Sequence, residues 1–182
     1  MSEPPFATNP QPAASASTEQ HRHDAPPTVA VAVLTISDTR TPDDDRSGQL
    51  IKQQLTWRGH DLRDYAIVKD EPAAIEATLR AWLDRDDIRA IVTNGGTGIA
   101  RRDTTYEVVE RLLEKELTGF GELFRMLSYS EIGAAAMLSR AIAGVAGRTA
   151  IFCLPGSSNA VKLGMEKLIA PELAHVVYEM TK

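Results

Sequence analysis

The chain of 182 residues has a single cysteine, Cys153, set inside an apolar run. One cysteine forms no internal disulfide, so a stapled secreted scaffold is excluded and a reducing cytoplasm is the expected compartment. Long hydrophobic runs are missing too: no stretch approaches the about 20 apolar residues of a membrane span. The N-terminus has neither the apolar centre of a signal peptide nor the arginine richness of a transit peptide. Positive charge is also scarce, with a formal net charge of -5, and the basic clusters of a nucleic-acid surface are not found. Two familiar nucleotide signatures are absent as well. No Gly-Lys-Ser/Thr follows the glycines, which excludes a P-loop, and the third glycine of a dinucleotide fingerprint is out of place.

What remains is a chain with 43% hydrophobic residues, enough to bury a full core. Residues 1–27 hold six of the ten prolines among Ala, Ser, Thr and Gln. Such a segment buries too little apolar surface to offset its ordering entropy, so it is read as a disordered tail. His21 and His23 flank Arg22 there and are not read as a metal pair. Residues 28–182 form one domain.

Val29 to Ile36 is a continuous apolar run, the pattern of a parallel strand buried on both faces. Ser37, Asp38, Thr39 and Arg40 end it with polar groups. A helix follows through about Arg58, and Asp43, Asp44 and Asp45 at its start complement the helix dipole. Ser47 and Gly48 offer a second contact for a phosphate. Asp61 to Val68 is a second strand, followed by a helix opened by Pro72. Ile88 to Val92 is a third strand, and the helix after it runs to near Glu116. Arg148 to Leu154 is another strand, then come a helix with Val161 and Met165 inward and a last helix started by Pro171. Strands alternating with helices imply a three-layer α/β/α domain with a mainly parallel sheet. The apolar stretch from Phe124 to Ile142 exceeds the needs of one helix face. It reads as core packing or as a subunit interface.

Ligands of such sheets lie outside the C-terminal ends of the strands. Thr93-Asn94-Gly95-Gly96-Thr97-Gly98-Ile99-Ala100-Arg101-Arg102-Asp103 occupies that position after the third strand. Gly95, Gly96 and Gly98 allow positive φ and close backbone approach, so amide N–H groups converge on a phosphate. Arg101 and Arg102 add fixed positive charge and Asp103 a carboxylate. Thr104 and Glu107 have the spacing of a capping box for the next helix. Asp70, at the end of the second strand, has two readings: a charge favouring its own helix N-terminus, or a cation ligand near Asp103. Arg140 is within reach of an anion. Pro155-Gly156-Ser157-Ser158-Asn159 contains an N-cap and forms a second anion-receptive turn.

These segments, with Thr118-Gly119-Phe120-Gly121-Glu122, Ser139-Arg140-Ala141 and Leu154-Pro155-Gly156-Ser157, follow one another as in the MoaB/Mog family of molybdenum cofactor biosynthesis proteins. That family is related to the G domain of gephyrin and plant Cnx proteins. The likeness spans residues 28–182, and Tyr129-Ser130-Glu131-Ile132-Gly133 resembles the MoaB branch most. The resemblance implies a fold that binds molybdopterin and, in the active branch, transfers AMP to it from ATP with Mg²⁺, releasing pyrophosphate. It implies that Asp103 and Asp70 are the catalytic acids and metal ligands. Gly95, Gly96, Thr97 and Gly98 resemble the phosphate cradle. Ser139 and Pro155, Gly156 and Ser157 resemble the opposite wall, and Ser37 and Asp38 lie in the matching first loop. Tyr106 stands where the transferring branch has Thr-Pro-Glu after the aspartate, and is expected at the pocket mouth. A homotrimer or homohexamer is implied, as is an alternative role as a non-catalytic molybdopterin carrier.

Overall fold

The computed structural model describes residues 15–182. A first helix, α1 (Ala16–Asp24), precedes strand β1 (Ala30–Ile36), helix α2 (Arg46–Trp57), strand β2 (Asp61–Val68) and helix α3 (Pro72–Leu83). Strand β3 (Ala90–Asn94), helix α4 (Thr105–Leu112), the short strand β4 (Lys115–Glu116) and helix α5 (Thr118–Ile132) follow. A 3₁₀ turn over Gly133–Leu138 leads to strands β5 (Ile142–Ala146) and β6 (Thr149–Leu154). The chain closes with helix α6 (Ser158–Gly164), a π turn over Met165–Ile169 and helix α7 (Ala170–Met180).

The sheet runs in the order β2-β1-β3-β6-β5-β4. The four strands from β2 to β6 pair in parallel, and β5 and β4 add an antiparallel edge. Successive residues of a strand point to opposite faces, and the apolar runs fill two cores. Val31 and Val33 of β1 pack with Val92, Phe152 and Phe124 on the face covered by α2, α5 and α7. Ala32 and Leu34 pack with Ile91, Ile151, Ile75 and Val109 on the face covered by α3 and α4. This is the three-layer arrangement expected from the strand–helix alternation.

Two details of these elements differ from the sequence reading. The helix after β3 stops at Leu112 rather than near Glu116, because Lys115 and Glu116 pair with Val145 and Gly144. The apolar stretch ends in a strand, β5, joined to β6 by a tight turn in which Gly147 takes φ +57°. Pro171 stands in the first turn of the last helix, α7, as expected. The π turn before it carries the helical run past a residue without an N–H.

The reading of residues 1–27 as a disordered tail is corrected for residues 16–24, which form α1, while residues 1–14 lie outside the described residues. Ser15 caps the helix by accepting from the Thr18 N–H at 3.3 Å. Polar contacts then tie it to α7: Arg22 pairs with Glu172, and His21 Nδ1 lies 2.9 Å from Glu179 Oε1. The composition argument failed because α1 buries no residue of its own and is held by polar contacts.

Candidate active site

Thr35 of β1 lies beside Asn94 of β3, and Asn94 beside Leu154 of β6, so three strands end at one level. The chain leaves β1 for β2 on one side and returns for β3 on the other, the strand-order switch where a crevice opens. The loops approach closely because they lack Cβ atoms. Gly95 has φ +101°, and a Cβ there would meet the Ile36 carbonyl oxygen at 2.2 Å. A Cβ on Gly156 would lie 2.9 Å from the Gly95 Cα. The Gly95 N–H donates to Leu154 O at 3.1 Å.

Between these loops lies a cleft of about 550 Å³. Ser37 and Arg40 line it from the β1 side, and Gly95, Gly96, Thr97 and Gly98 form its floor. Ser139 and Arg140 close one side, and Pro155, Gly156 and Ser157 the other. Asp38 faces an adjoining hollow instead. Its carboxylate pairs with Arg102 and accepts from the Asp70 N–H at 3.2 Å. Asn94 also lines the cleft. Its Nδ2 donates to Thr35 Oγ1 at 2.9 Å, while its buried Oδ1 has no partner among the described residues.

The β1 wall is built on Asp45, which is fully buried. Its carboxylate accepts from Thr35 Oγ1 at 2.6 Å, from Tyr65 OH at 2.7 Å and from the Gly48 N–H at 2.9 Å. Arg40 pairs with it at 3.2 Å and reaches on to Ser47 and to Gly156 O. Burial alone would raise the Asp45 carboxyl, but these donors outweigh it and hold the pKa below its ordinary value. Burial, with Asp45 accepting its proton, raises the Tyr65 phenol well above its usual range. Ser47, read as a phosphate contact, is buried inside this network, and its hydroxyl donates to Gly156 O at 3.3 Å.

The β3 wall carries the two expected acids behind the glycines. A Cβ on Gly96 would meet Asp70 Oδ2 at 2.7 Å, and one on Gly98 would meet Asp103 Oδ2 at 2.4 Å. Both carboxylates therefore stand directly behind the loop backbone, at the rim of the cleft rather than in its lining. Asp103 Oδ2 accepts from the Ala100 N–H at 3.0 Å. Asp70 Oδ1 accepts from the Thr104 N–H at 3.4 Å and hydroxyl at 3.3 Å. Burial raises the Asp70 pKa. Thr104 pulls it back, and the Asp103 charge pushes it up again. The balance lies above the ordinary carboxylate value, the reverse of Asp45.

The capping box expected from Thr104 and Glu107 is not formed, since Thr104 makes no side-chain cap bond. Its hydroxyl serves Asp70, and Glu107 accepts from Arg140 Nη2 at 2.7 Å. Tyr106 lies under Arg140, with the guanidinium 4.5 Å from the ring centroid, and does not line the cleft. The residue expected to reshape the pocket mouth instead orients a cation of its wall. Ser157 does cap α6, accepting from the Ala160 N–H at 3.2 Å.

Sequence reasoning missed Arg40 and Asp45. The three consecutive aspartates read alike as dipole partners, whereas Asp45 alone occupies the N-cap position three residues before Gly48. That spacing was a usable signal. Its partners Thr35 and Tyr65 sit on separate strands and gave none.

Fold and cleft together define a class: a doubly wound α/β protein with a glycine cradle, two flanking arginines and a carboxylate pair at the strand-order switch. Residues 32–175 match the family described as "Probable molybdopterin binding domain". Molybdenum cofactor biosynthesis protein B of Halalkalibacterium halodurans is 58% identical over 167 residues, covering 91% of this chain and 98% of the relative. A crystal structure of a molybdenum cofactor biosynthesis protein B aligns with a TM-score of 0.84 at 52% identity, over 86% of this chain and 98% of that one. The tungsten cofactor synthesizing protein MoaB from Pyrococcus furiosus aligns with a TM-score of 0.79 at 39% identity, over 87% and 100%. The chain belongs to the MoaB/Mog family of molybdopterin-binding proteins.

Proposed function

We propose that the protein binds molybdopterin in the cleft and transfers AMP to it from ATP, within molybdenum cofactor biosynthesis in the cytoplasm. The observation that carries the reading is the pairing of Asp70 and Asp103 behind a glycine cradle, with the Asp70 pKa raised from its ordinary value by burial and by Asp103. Two nearby carboxylates whose charges oppose each other suit a divalent cation, which relieves both. Bound there, Mg²⁺ would neutralise charge on the ATP phosphates and on the departing pyrophosphate.

In the reaction a terminal phosphate oxygen of molybdopterin forms a bond to the α-phosphorus of ATP. The α–β phosphoanhydride bond breaks, and the electron pair leaves with pyrophosphate. Two anionic groups must be brought together, and the N–H groups of Gly96 to Gly98 with Arg40 and Arg140 offset their repulsion. Asp45 holds Arg40 in place, and Glu107 with Tyr106 holds Arg140. The unpartnered Oδ1 of Asn94 accepts an N–H of the pterin.

The same proposal includes a homotrimer or homohexamer. Met126, Tyr129 and Ile132 of α5 and Met137 and Leu138 of the following turn are exposed, and Leu138 also borders the cleft. An apolar patch of this kind marks an association surface.

The direct test is to incubate the purified protein with molybdopterin, ATP and Mg²⁺ and to assay adenylylated pterin and pyrophosphate. The proposal expects both products, and expects Asp103→Asn to lower the rate by about a hundredfold or more. Tight pterin binding without product from the unaltered chain would make it a carrier instead.

A further inference from the structure

Away from the cleft, α1 and α7 bring three metal-binding atoms together. One ring nitrogen of His21, one of His175 and a Glu179 carboxylate oxygen all lie within 4.8 Å of one another. His21 Nδ1 stands 2.9 Å from Glu179 Oε1, and His175 Nε2 stands 3.7 Å from the same oxygen. Three ligands of a tetrahedral zinc ion, each at about 2.1 Å, are separated by about 3.4 Å, a spacing these values bracket. Two of the chain's four histidines meet here from segments 154 residues apart in sequence.

The surroundings orient the donors. His175 Nδ1 faces Glu172 Oε2 at 2.9 Å, a carboxylate that orients the ring and leaves Nε2 turned toward Glu179. Glu172 is itself fixed by Arg22 of α1. Lys182 Nζ lies 2.7 Å from Glu179 Oε1 and 3.3 Å from His21 Nε2, so the cluster already attracts a cation, carried by the last residue of the chain. The site borders a hollow of about 480 Å³, also lined by Glu114 and Lys115, which leaves room for a water ligand. His21 and Glu179 fall outside the family match at residues 32–175, and His175 is its last residue.

We propose that His21, His175 and Glu179 bind one zinc ion, with water in the fourth position, and that the metal clips α1 onto α7. Lys182 swings away as the ion enters. The clip supplies what α1 lacks, because it buries no residue and exposed ion pairs hold a helix only weakly. The site is independent of the adenylyl-transfer reading.

The test uses the full chain stripped of metal by chelator, then titrated with Zn²⁺ in excess Mg²⁺ so that the cleft carboxylates are masked. Unaltered protein, His21→Ala and His23→Ala are compared by calorimetry. His23 shares α1 with His21, but its imidazole lies outside the cluster. The expected result is one zinc per chain for the unaltered protein and for His23→Ala, with His21→Ala weaker by at least about tenfold. Zinc should also raise the melting temperature of the unaltered chain by about 5 °C at a hundredfold excess over its dissociation constant, and that of His21→Ala by no more than about half as much. Equal zinc binding by His21→Ala and the unaltered chain would overturn the assignment, and so would no binding by the unaltered chain.

Discussion

On the β1 side of the cleft, the carboxylate of Asp45 is buried and receives Thr35, Tyr65, Gly48 and Arg40. On the β3 side, Asp70 receives only Thr104 and is pushed upward by Asp103. The same residue type thus has its pKa moved in opposite directions across one cleft. A carboxylate satisfied by the protein is structural, because its charge is already compensated. In the proposed function, a carboxylate raised by burial and by a neighbouring acid is left for a cation that arrives with the substrate.

The contrast breaks most visibly at Asp45. Asp45→Ala leaves Arg40 and the Tyr65 hydroxyl without their shared acceptor in a buried setting. It should cost about 3–5 kcal/mol of stability in chemical denaturation. A loss within about 0.5 kcal/mol would mean that the β1 wall is not held by this network. Next in size is Gly96→Ala. Gly96 has φ +64°, and the new Cβ would meet Thr105 Oγ1 at 2.2 Å and Asp70 at 2.7 Å. A loss of about 1–3 kcal/mol is expected, with Asp70 displaced. Gly119→Ala is the control, because a Cβ there meets nothing within 4 Å and should leave stability unchanged or raise it. Tyr65→Phe removes one donor from Asp45 and should cost about 1 kcal/mol.

The smallest effect sharpens the comparison by its sign. Asp45 has a folded pKa below its unfolded value of 3.8. Its contribution is complete above that value and is lost as pH falls through the folded pKa. Asp70 has a folded pKa above 3.8, so its contribution is present at low pH and is lost as pH rises through the folded pKa. Denaturation midpoints measured across acidic pH should therefore lose part of their acid-side fall in Asp45→Asn. In Asp70→Asn they should lose an opposing fall on the neutral side.

How far the sequence disclosed these features follows from the range of the interactions involved. Strands β1, β3 and β6 are apolar on both faces, and that pattern is carried by consecutive residues. Strand β5, Ile142 to Ala146, is mostly small residues, and its partner β6 was needed to reveal it. The glycine cradle was legible because Gly95 and Gly96 do require positive φ. The capping box at Thr104 misled because a local pattern lost to acceptors and donors from elsewhere in the fold, Asp70 and Arg140. Arg40 was read as a strand end, since Ser47 and Gly156, its further partners, converge only in three dimensions.

The central claim is that one wall is structural and the other is a cation site. Asp70→Asn and Asp45→Asn, assayed side by side for Mg²⁺-dependent adenylyl transfer and for melting temperature, test it most directly. The account predicts that Asp70→Asn loses turnover by about a hundredfold while its melting temperature holds or rises, because an unfavourable, partly buried charge has been removed. Asp45→Asn should melt several degrees lower. Normal turnover with a lowered melting temperature in Asp70→Asn would contradict the account and return Asp70 to a structural role.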